Sequence, residues 1–331
     1  MTQVFGIDQV KDCIEKNSVT DLIKAIEEGF VMYSQNKVDV PPVGHLSFSN
    51  PPGDVHIKYG CIENDDFFVV KIASGFYNNA ALNLPTGNGL MLLFSQKTGQ
   101  LLSILLDEGY LTDLRTAIAG LIAAKYLAPQ KIKCIGIVGT GIQARLQLEY
   151  LKTFTDCRSV IVWGRNENKL QDYASDMKLS GFNITGTTDI DFLAANANLI
   201  ITATASKEPL LFGHHIRPGT HITAIGADAE GKQELDVSIF GKADIIVADS
   251  IQQCIHHGDI SYAVKENITE KEKIREIGEV ISSSSLQRKN DNEITVADLT
   301  GVAIQDIQIT KFVFEKLKTS DLSLKEIHNV K

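Results

Sequence analysis

"CIGIVGTGIQARLQLEYL", residues 134–151, is an apolar run that breaks at glycines and resumes as a helix. Within it, Gly139-Thr140-Gly141-Ile142-Gln143-Ala144 fits the pattern G-x-G-x-x-G/A. Gly139 permits a tight turn, Gly141 lets the backbone approach a pyrophosphate, and Ala144 lets the helix pack closely on the strand. The helix N-terminus then offers amide donors and a partial positive charge to an anion. Alone, the pattern also occurs in sheets that bind nothing. Here it opens a strand–helix series, the context that gives it weight.

Working outward, "KIKCIGIV", "SVIVWGR", "NLIITAT", "THITAIGA" and "KADIIVAD" are β-rich runs without a polar face, the first ones separated by helical segments. Such runs predict a parallel sheet covered on both sides. Ligands of open α/β sheets bind beyond the carboxyl ends of strands. Gly164, Arg165 and Asn166, Thr202, Ala203 and Thr204, and Gly226 are therefore further cofactor-binding candidates. No carboxylate follows "SVIVWGR" to hold an adenosine ribose 2′-hydroxyl; Gly164 and Arg165 stand there instead. An arginine suits a 2′-phosphate, which favours NADP(H) and leaves NAD(H) open, with Arg165 then stacking on adenine or facing solvent.

Before residue 110 the pattern differs. An amphipathic helix over 18–33 precedes the strand candidates "GDVHIKYG", "DDFFVVKIAS", "GLMLLF" and "LLSILLD", whose short connections suggest a mostly antiparallel sheet. "TDLRTAIAGLIAAKYLAP" reads as a joining helix with Thr112 as its N-cap and Pro129 as its stop. The tail from Gly301 to Thr319 also reads as helix and is expected to return to the first domain.

Composition excludes several classes. A net charge of −9 without a basic cluster argues against a nucleic-acid surface. No apolar stretch reaches the length of a bilayer span, and the N-terminus carries acids early without the pattern of a signal or transit peptide, so a cytoplasmic location is expected. The five cysteines show no C-x-x-C spacing and read as free thiols. His214-His215 and His256-His257 lack metal-site spacing, so no metal is expected.

Four charged residues occupy awkward places. Lys71 shares a strand face with Phe67, Val69 and Ala73, where an ammonium is costly unless paired or used as an acid or base. Lys58 shares a face with His56. Arg115 falls in the first turn of the joining helix, where the helix dipole disfavours a cation and a nearby anion would account for it. Asp228 follows a sheet strand at its carboxyl end, where a carboxylate can shuttle a proton.

Taken in order, "VVKIASGFYNN", "LPTGNGLMLLFSQKTG", "LTDLRTAIAGLIAAKYLAP", "IGIVGTGIQARLQL", "IGADAEGKQELD" and "DLTGVAIQDI" resemble the ornithine cyclodeaminase/μ-crystallin family over nearly the whole chain. The resemblance implies an α/β protein: a Rossmann doubly wound domain over 113–300 and a discontinuous α+β substrate and dimerisation domain over 1–112 plus 301–331. It implies an NAD(P)-dependent homodimer acting on a small amino or imino acid by hydride transfer. The alternatives are a diamino-acid cyclodeaminase that recycles NAD, and a binding protein without activity. By the same resemblance Lys71 and Asp228 are catalytic, Arg115 holds the substrate carboxylate, and Thr86 and Val302 lie against substrate. One departure stands out: the family arginine after the proline of "VPPVGHLSF" is replaced by Gly44 or His45. His45 and Lys58 are the candidates to supply the missing positive charge.

Overall fold

In strand Phe67–Phe76, side chains alternate between an apolar, helix-covered face and an outer face, and this alternation organises the first of two units. The computed structural model describes residues 2–76 and 78–328. Tyr77 of the "VVKIASGFYNN" stretch and residues 329–331 of the tail lie outside the described residues. The chain divides into a unit of residues 1–115 with 302–331 and a unit of residues 116–301.

The first unit is built on β1 (Gln3–Gly6), β2 (Val38–Asp39), β3 (Gly44–Ser49), β4 (Pro52–Ile62), β5 (Phe67–Phe76), β6 (Gly87–Ser95) and β7 (Leu101–Leu106), in the order β1-β7-β6-β5-β4-β2, with β3 also on β4. All pairs are antiparallel except β1 with β7. One cross-strand row reads Phe5, Leu105, Met91, Lys71, Lys58, and the adjacent row on the opposite face reads Val4, Ile104, Leu92, Val70, Tyr59.

The first of these rows faces the C-terminal helix, Ala303–His328. Asp306 pairs with Lys71, the Thr310 hydroxyl lies 2.8 Å from the Met91 sulfur, and the Phe314 ring meets Phe67 edge to face. These three are spaced four apart, one stripe of a helix. Helices α1 (Ile7–Lys16) and α2 (Val19–Ser34) pack on the same helix. Ser18 caps α2 by accepting the Asp21 amide. At Gly29, a Cβ would stand 2.7 Å from the Gln308 side chain, so the close approach of the two helices requires glycine.

The second unit is a wholly parallel sheet of β8 (Ile135–Val138), β9 (Ser159–Trp163), β10 (Asn183–Thr187), β11 (Leu199–Thr202), β12 (His221–Ala224), β13 (Ile245–Ala248), β14 (Ile274–Glu276) and β15 (Thr295–Asp298), ordered β10-β9-β8-β11-β12-β15-β13-β14. The order reverses between β8 and β11, the switch point where such sheets bind nucleotides. Strands β8, β11, β12 and β15 are buried throughout, which explains why none alternates between an apolar and a solvated face. His221 sits inside this core between the hydroxyls of Thr295 and Thr223, and burial drives its pKa down to about 3, so it is a neutral structural residue.

The joining helix α3 runs Tyr110–Leu127. It starts two residues before Thr112, which is therefore inside the helix and not its cap; the Asp107 carboxylate instead accepts the Leu111 amide at 2.8 Å. Arg115 consequently lies in the second turn, not the first.

Candidate functional site

In the second unit the glycine turn is held by its own backbone. Gly139 has φ +121°, and a Cβ there would stand 2.6 Å from the Ala203 carbonyl oxygen. Its amide donates to Trp163, while the Ala203 amide donates to Val138, so the three strand ends are tied together. Helix α4 (Ile142–Leu151) begins at Gly141, and Ala144 is buried beneath it, its carbonyl accepting the Tyr173 hydroxyl. Arg145 reaches back to the Thr140 carbonyl and pairs with Asp176 at 2.8 Å, bracing the turn against the neighbouring helix.

A pocket of about 320 Å³ opens over this turn. Of the sequence candidates, Gly139, Thr140, Gly141, Gly164, Arg165, Asn166, Ala203 and Thr204 line it. Ile142, Gln143, Ala144, Thr202 and Gly226 do not; Thr202 and Gly226 instead support its wall. That support comes from Glu234, which the sequence reading missed. Its buried carboxylate accepts from the Thr202 hydroxyl, the Thr204 amide and hydroxyl, and the Gly226 amide, at 2.6–2.9 Å. Burial raises the Glu234 pKa, and these donors oppose the rise. Asp259, fixed by the amides of Glu234 and Leu235, is pushed up to about 8 by burial and by Glu234, so it is largely protonated at neutral pH.

The pocket lining contains Arg165 and Lys169 and no carboxylate. Asn166 caps the following helix by accepting the Lys169 amide at 3.0 Å, which fixes the loop carrying both cations.

In the first unit a charged cluster is buried where the apolar row ends. Lys71 Nζ lies 3.2 Å from Asp306 Oδ2, and Arg115 Nε lies 3.0 Å from Asp306 Oδ1. Gln305 accepts from Arg115 Nη1 at 2.7 Å. Lys71 and Asp306 are only 2% and 1% exposed, so their charges are shielded mainly by each other. Burial pushes the Lys71 pKa down to about 7; Asp306 opposes the fall, and Arg115 and Lys58 add to it. Burial would raise Asp306, but Arg115, Lys71 and Lys58 outweigh it and hold the carboxylate below its usual range. Asp107, buried on the same side and sensing Lys71, is raised by burial to about 6.

Lys58 is buried directly across from Lys71 in the β4–β5 register. His45 is exposed, its ring 4.8 Å from His56, and Gly44 pairs with Ile57. Thr86 is exposed before β6, its carbonyl accepting the Phe76 amide. Val302 is buried at the head of the C-terminal helix. Asp228 belongs to the second unit, is exposed, and pairs with Lys232 at 2.6 Å.

His214 and His215 converge: they share a short 3-10 turn with rings 4.1 Å apart, and with Asp191 their ligand atoms lie within 4.8 Å. The Phe212 amide donates to His215 Nδ1, however, so Nε2 carries the proton and donates to Asp191 at 2.6 Å instead of offering a lone pair.

The sequence profile of the ornithine cyclodeaminase/mu-crystallin family matches residues 4–321. An alanine dehydrogenase of Archaeoglobus fulgidus is 36% identical over 325 residues, covering 98% of each chain. An iminosuccinate reductase of Paracoccus denitrificans is 32% identical over 295 residues, 89% of this chain and 91% of the other. Among solved structures, an archaeal alanine dehydrogenase dimer with bound NAD superimposes with a TM-score of 0.86 at 34% identity, covering 97% of each chain.

The turn itself is directly testable. Gly139→Ala drives a methyl group into the Ala203 carbonyl at a positive φ, so a titration of intrinsic fluorescence should give at least a tenfold weaker nicotinamide dinucleotide Kd, about 1.4 kcal/mol or more. Unchanged affinity would mean that the turn does not hold the pyrophosphate.

Proposed function

The chain belongs to the ornithine cyclodeaminase/mu-crystallin family, and from that premise we propose that it is a nicotinamide-dependent imino acid reductase or amino acid dehydrogenase. The observation that carries this reading is the buried set Lys71–Asp306–Arg115: an ammonium with a pKa of about 7 beside a fixed guanidinium. Arg115 anchors the substrate carboxylate. The glycine turn Gly139–Gly141 would hold the nicotinamide cofactor, which would supply the hydride for the imine carbon, and Lys71 Nζ gives the imine nitrogen its proton. Asp306 is a positioning residue: it holds Arg115 in place and keeps Lys71 from losing its proton altogether. By family resemblance Asp228 is a second proton-handling group. A general acid with a pKa near the working pH is the efficient choice.

This assignment fixes a pH dependence. Lys71 donates only while protonated, so the reductive kcat should fall as pH rises through about 7. Asp306→Asn removes a group that raises the Lys71 pKa, so the falling limb should move to lower pH. Lys71→Met should lower kcat by about 10²- to 10⁴-fold with cofactor affinity intact. Stopped-flow or absorbance assays at 340 nm against cyclic and linear imino acids read all three; a fully active Lys71→Met would remove the assigned role.

For the cofactor, Arg165 and Lys169 in a pocket lining without a carboxylate favour NADP(H), with NAD(H) accepted. Arg165→Ala should weaken NADPH binding by tenfold or more while changing NADH binding less than threefold, shifts of about 1.4 and under 0.7 kcal/mol. Equal effects on the two cofactors would remove the 2′-phosphate assignment.

The outer sheet face suits a second copy of the chain. Val4, Leu46, Phe48, Tyr59 and Leu106 are exposed on it, in continuity with the row Ile104, Leu92 and Val70. An apolar patch of this kind marks an interface. A homodimer should sediment as such, and Val4→Asp with Leu106→Asp should yield monomer; a monomeric wild type would exclude this interface.

A further inference from the structure

The pocket over the glycine turn is electrically lopsided. On the β9 side it is lined by the cations Arg165 and Lys169. On the β11 and β12 side its wall is tied to Glu234, whose four donors, the hydroxyls of Thr202 and Thr204 and the amides of Thr204 and Gly226, are all neutral. Each oxygen of the carboxyl accepts one hydroxyl and one amide, so the set suits the ionised acid, which only accepts.

Two further acids are buried behind it and are held differently. Asp259 offers Oδ1 to the amides of both Glu234 and Leu235, while its buried Oδ2 has no hydrogen-bond partner among the described residues and is the atom left to carry a proton. Burial, reinforced by Glu234, raises Asp259 to about 8. Asp298 takes the Ile260 amide on Oδ2, and burial, reinforced by Asp259, raises it well above the usual carboxylate range. At neutral pH both are neutral acids that fix backbone. The group therefore carries one negative charge, on the member that bonds directly to the pocket-lining residue Thr204.

In a sheet of this kind the pyrophosphate lies at the helix N-terminus and the adenosine ribose at the end of the next strand, here β9. The other end of a dinucleotide then extends across the switch point toward β11 and β12, the side of Glu234. We propose that Glu234 is a positioning residue that sets the balance between the two redox forms of the cofactor, its buried charge favouring the oxidised, cationic nicotinamide ring over the reduced, neutral one. This rests on the nicotinamide-dependent reading above. Away from bulk water a charge acts over several ångströms, so Glu234 works through the wall without touching the ring. It also favours the positive charge that accompanies hydride loss, which assists the reductive direction.

The test is a ratio of affinities, read by isothermal titration calorimetry of the whole chain with NAD⁺ against NADH and with NADP⁺ against NADPH. The adenosine and phosphate groups are common to each pair, so a loosened pocket weakens both members alike and cancels in the ratio. A lost charge does not cancel. Burying a cationic ring is otherwise penalised, so the wild type should bind the oxidised form at least as tightly as the reduced one. Glu234→Gln keeps the shape and one acceptor oxygen, and should move the ratio toward the reduced form by about threefold or more, whatever happens to the absolute affinities.

A wild type that binds the reduced form more tightly, or equal weakening of both forms in Glu234→Gln, would overturn the role of Glu234 and leave the nicotinamide-dependent reading standing. The wild-type ratio decides the matter even if the variant does not fold. Binding of none of the four cofactors to the wild type would overturn both.

Discussion

One carboxylate, Asp306, is shared by two cations, and the charged half of the first unit is arranged around it. Burying ions costs several kcal/mol each, and a pair repays this only when its geometry is held well. Here the holding comes from the C-terminal helix, whose Thr310 and Phe314, on the same stripe as Asp306, meet Met91 and Phe67 of the sheet. Arg115 is clamped between Asp306 and Gln305, and burial brings the Lys71 pKa down to about 7 against the pull of Asp306.

In the second unit the glycine turn is shaped by backbone contacts that exclude side chains at Gly139 and Gly226, where a Cβ would stand 2.6 Å from the Ala203 oxygen and 2.1 Å from the Thr204 oxygen. Behind them Glu234 ties three loop segments with four hydrogen bonds, an acid used as a strut. Burial, reinforced by Glu234, raises the Asp259 pKa to about 8, so Asp259 serves as a neutral acceptor for two amides instead of a charge.

Much of this was legible in residue order because it follows from local rules. The glycine turn and its flanking strand and helix announced the parallel sheet, and an ammonium on the apolar face of β5 announced itself as a misfit. What escaped depends on distant partners. Asp306 sits within a helix whose pattern looks complete without it, and only the location of Lys71 and Arg115 gives it meaning. Strand β15 is four residues inside "EITVADLTG", too short to show a period, yet it lies between β12 and β13 in the sheet. The cap of α3 was misplaced because Thr112 satisfies the local preference while Asp107 satisfies the actual amide. The approach of the His214 and His215 rings is set by a tight helical turn that their adjacency in sequence does not disclose.

The discontinuity of the first unit has a consequence for how the molecule is made. Every strand of both sheets has been synthesised by residue 298, but the helix that covers the first sheet begins at Ala303. Until Asp306 emerges, Lys71 and Arg115 lack the carboxylate they share, and the row Phe5, Leu105 and Met91 lacks the helix that it faces. Domains that are continuous in sequence fold as they leave the ribosome. Here the unit of residues 116–301 is continuous and free to do so, whereas the other unit waits for the helix from Ala303, which is made after the whole of its neighbour.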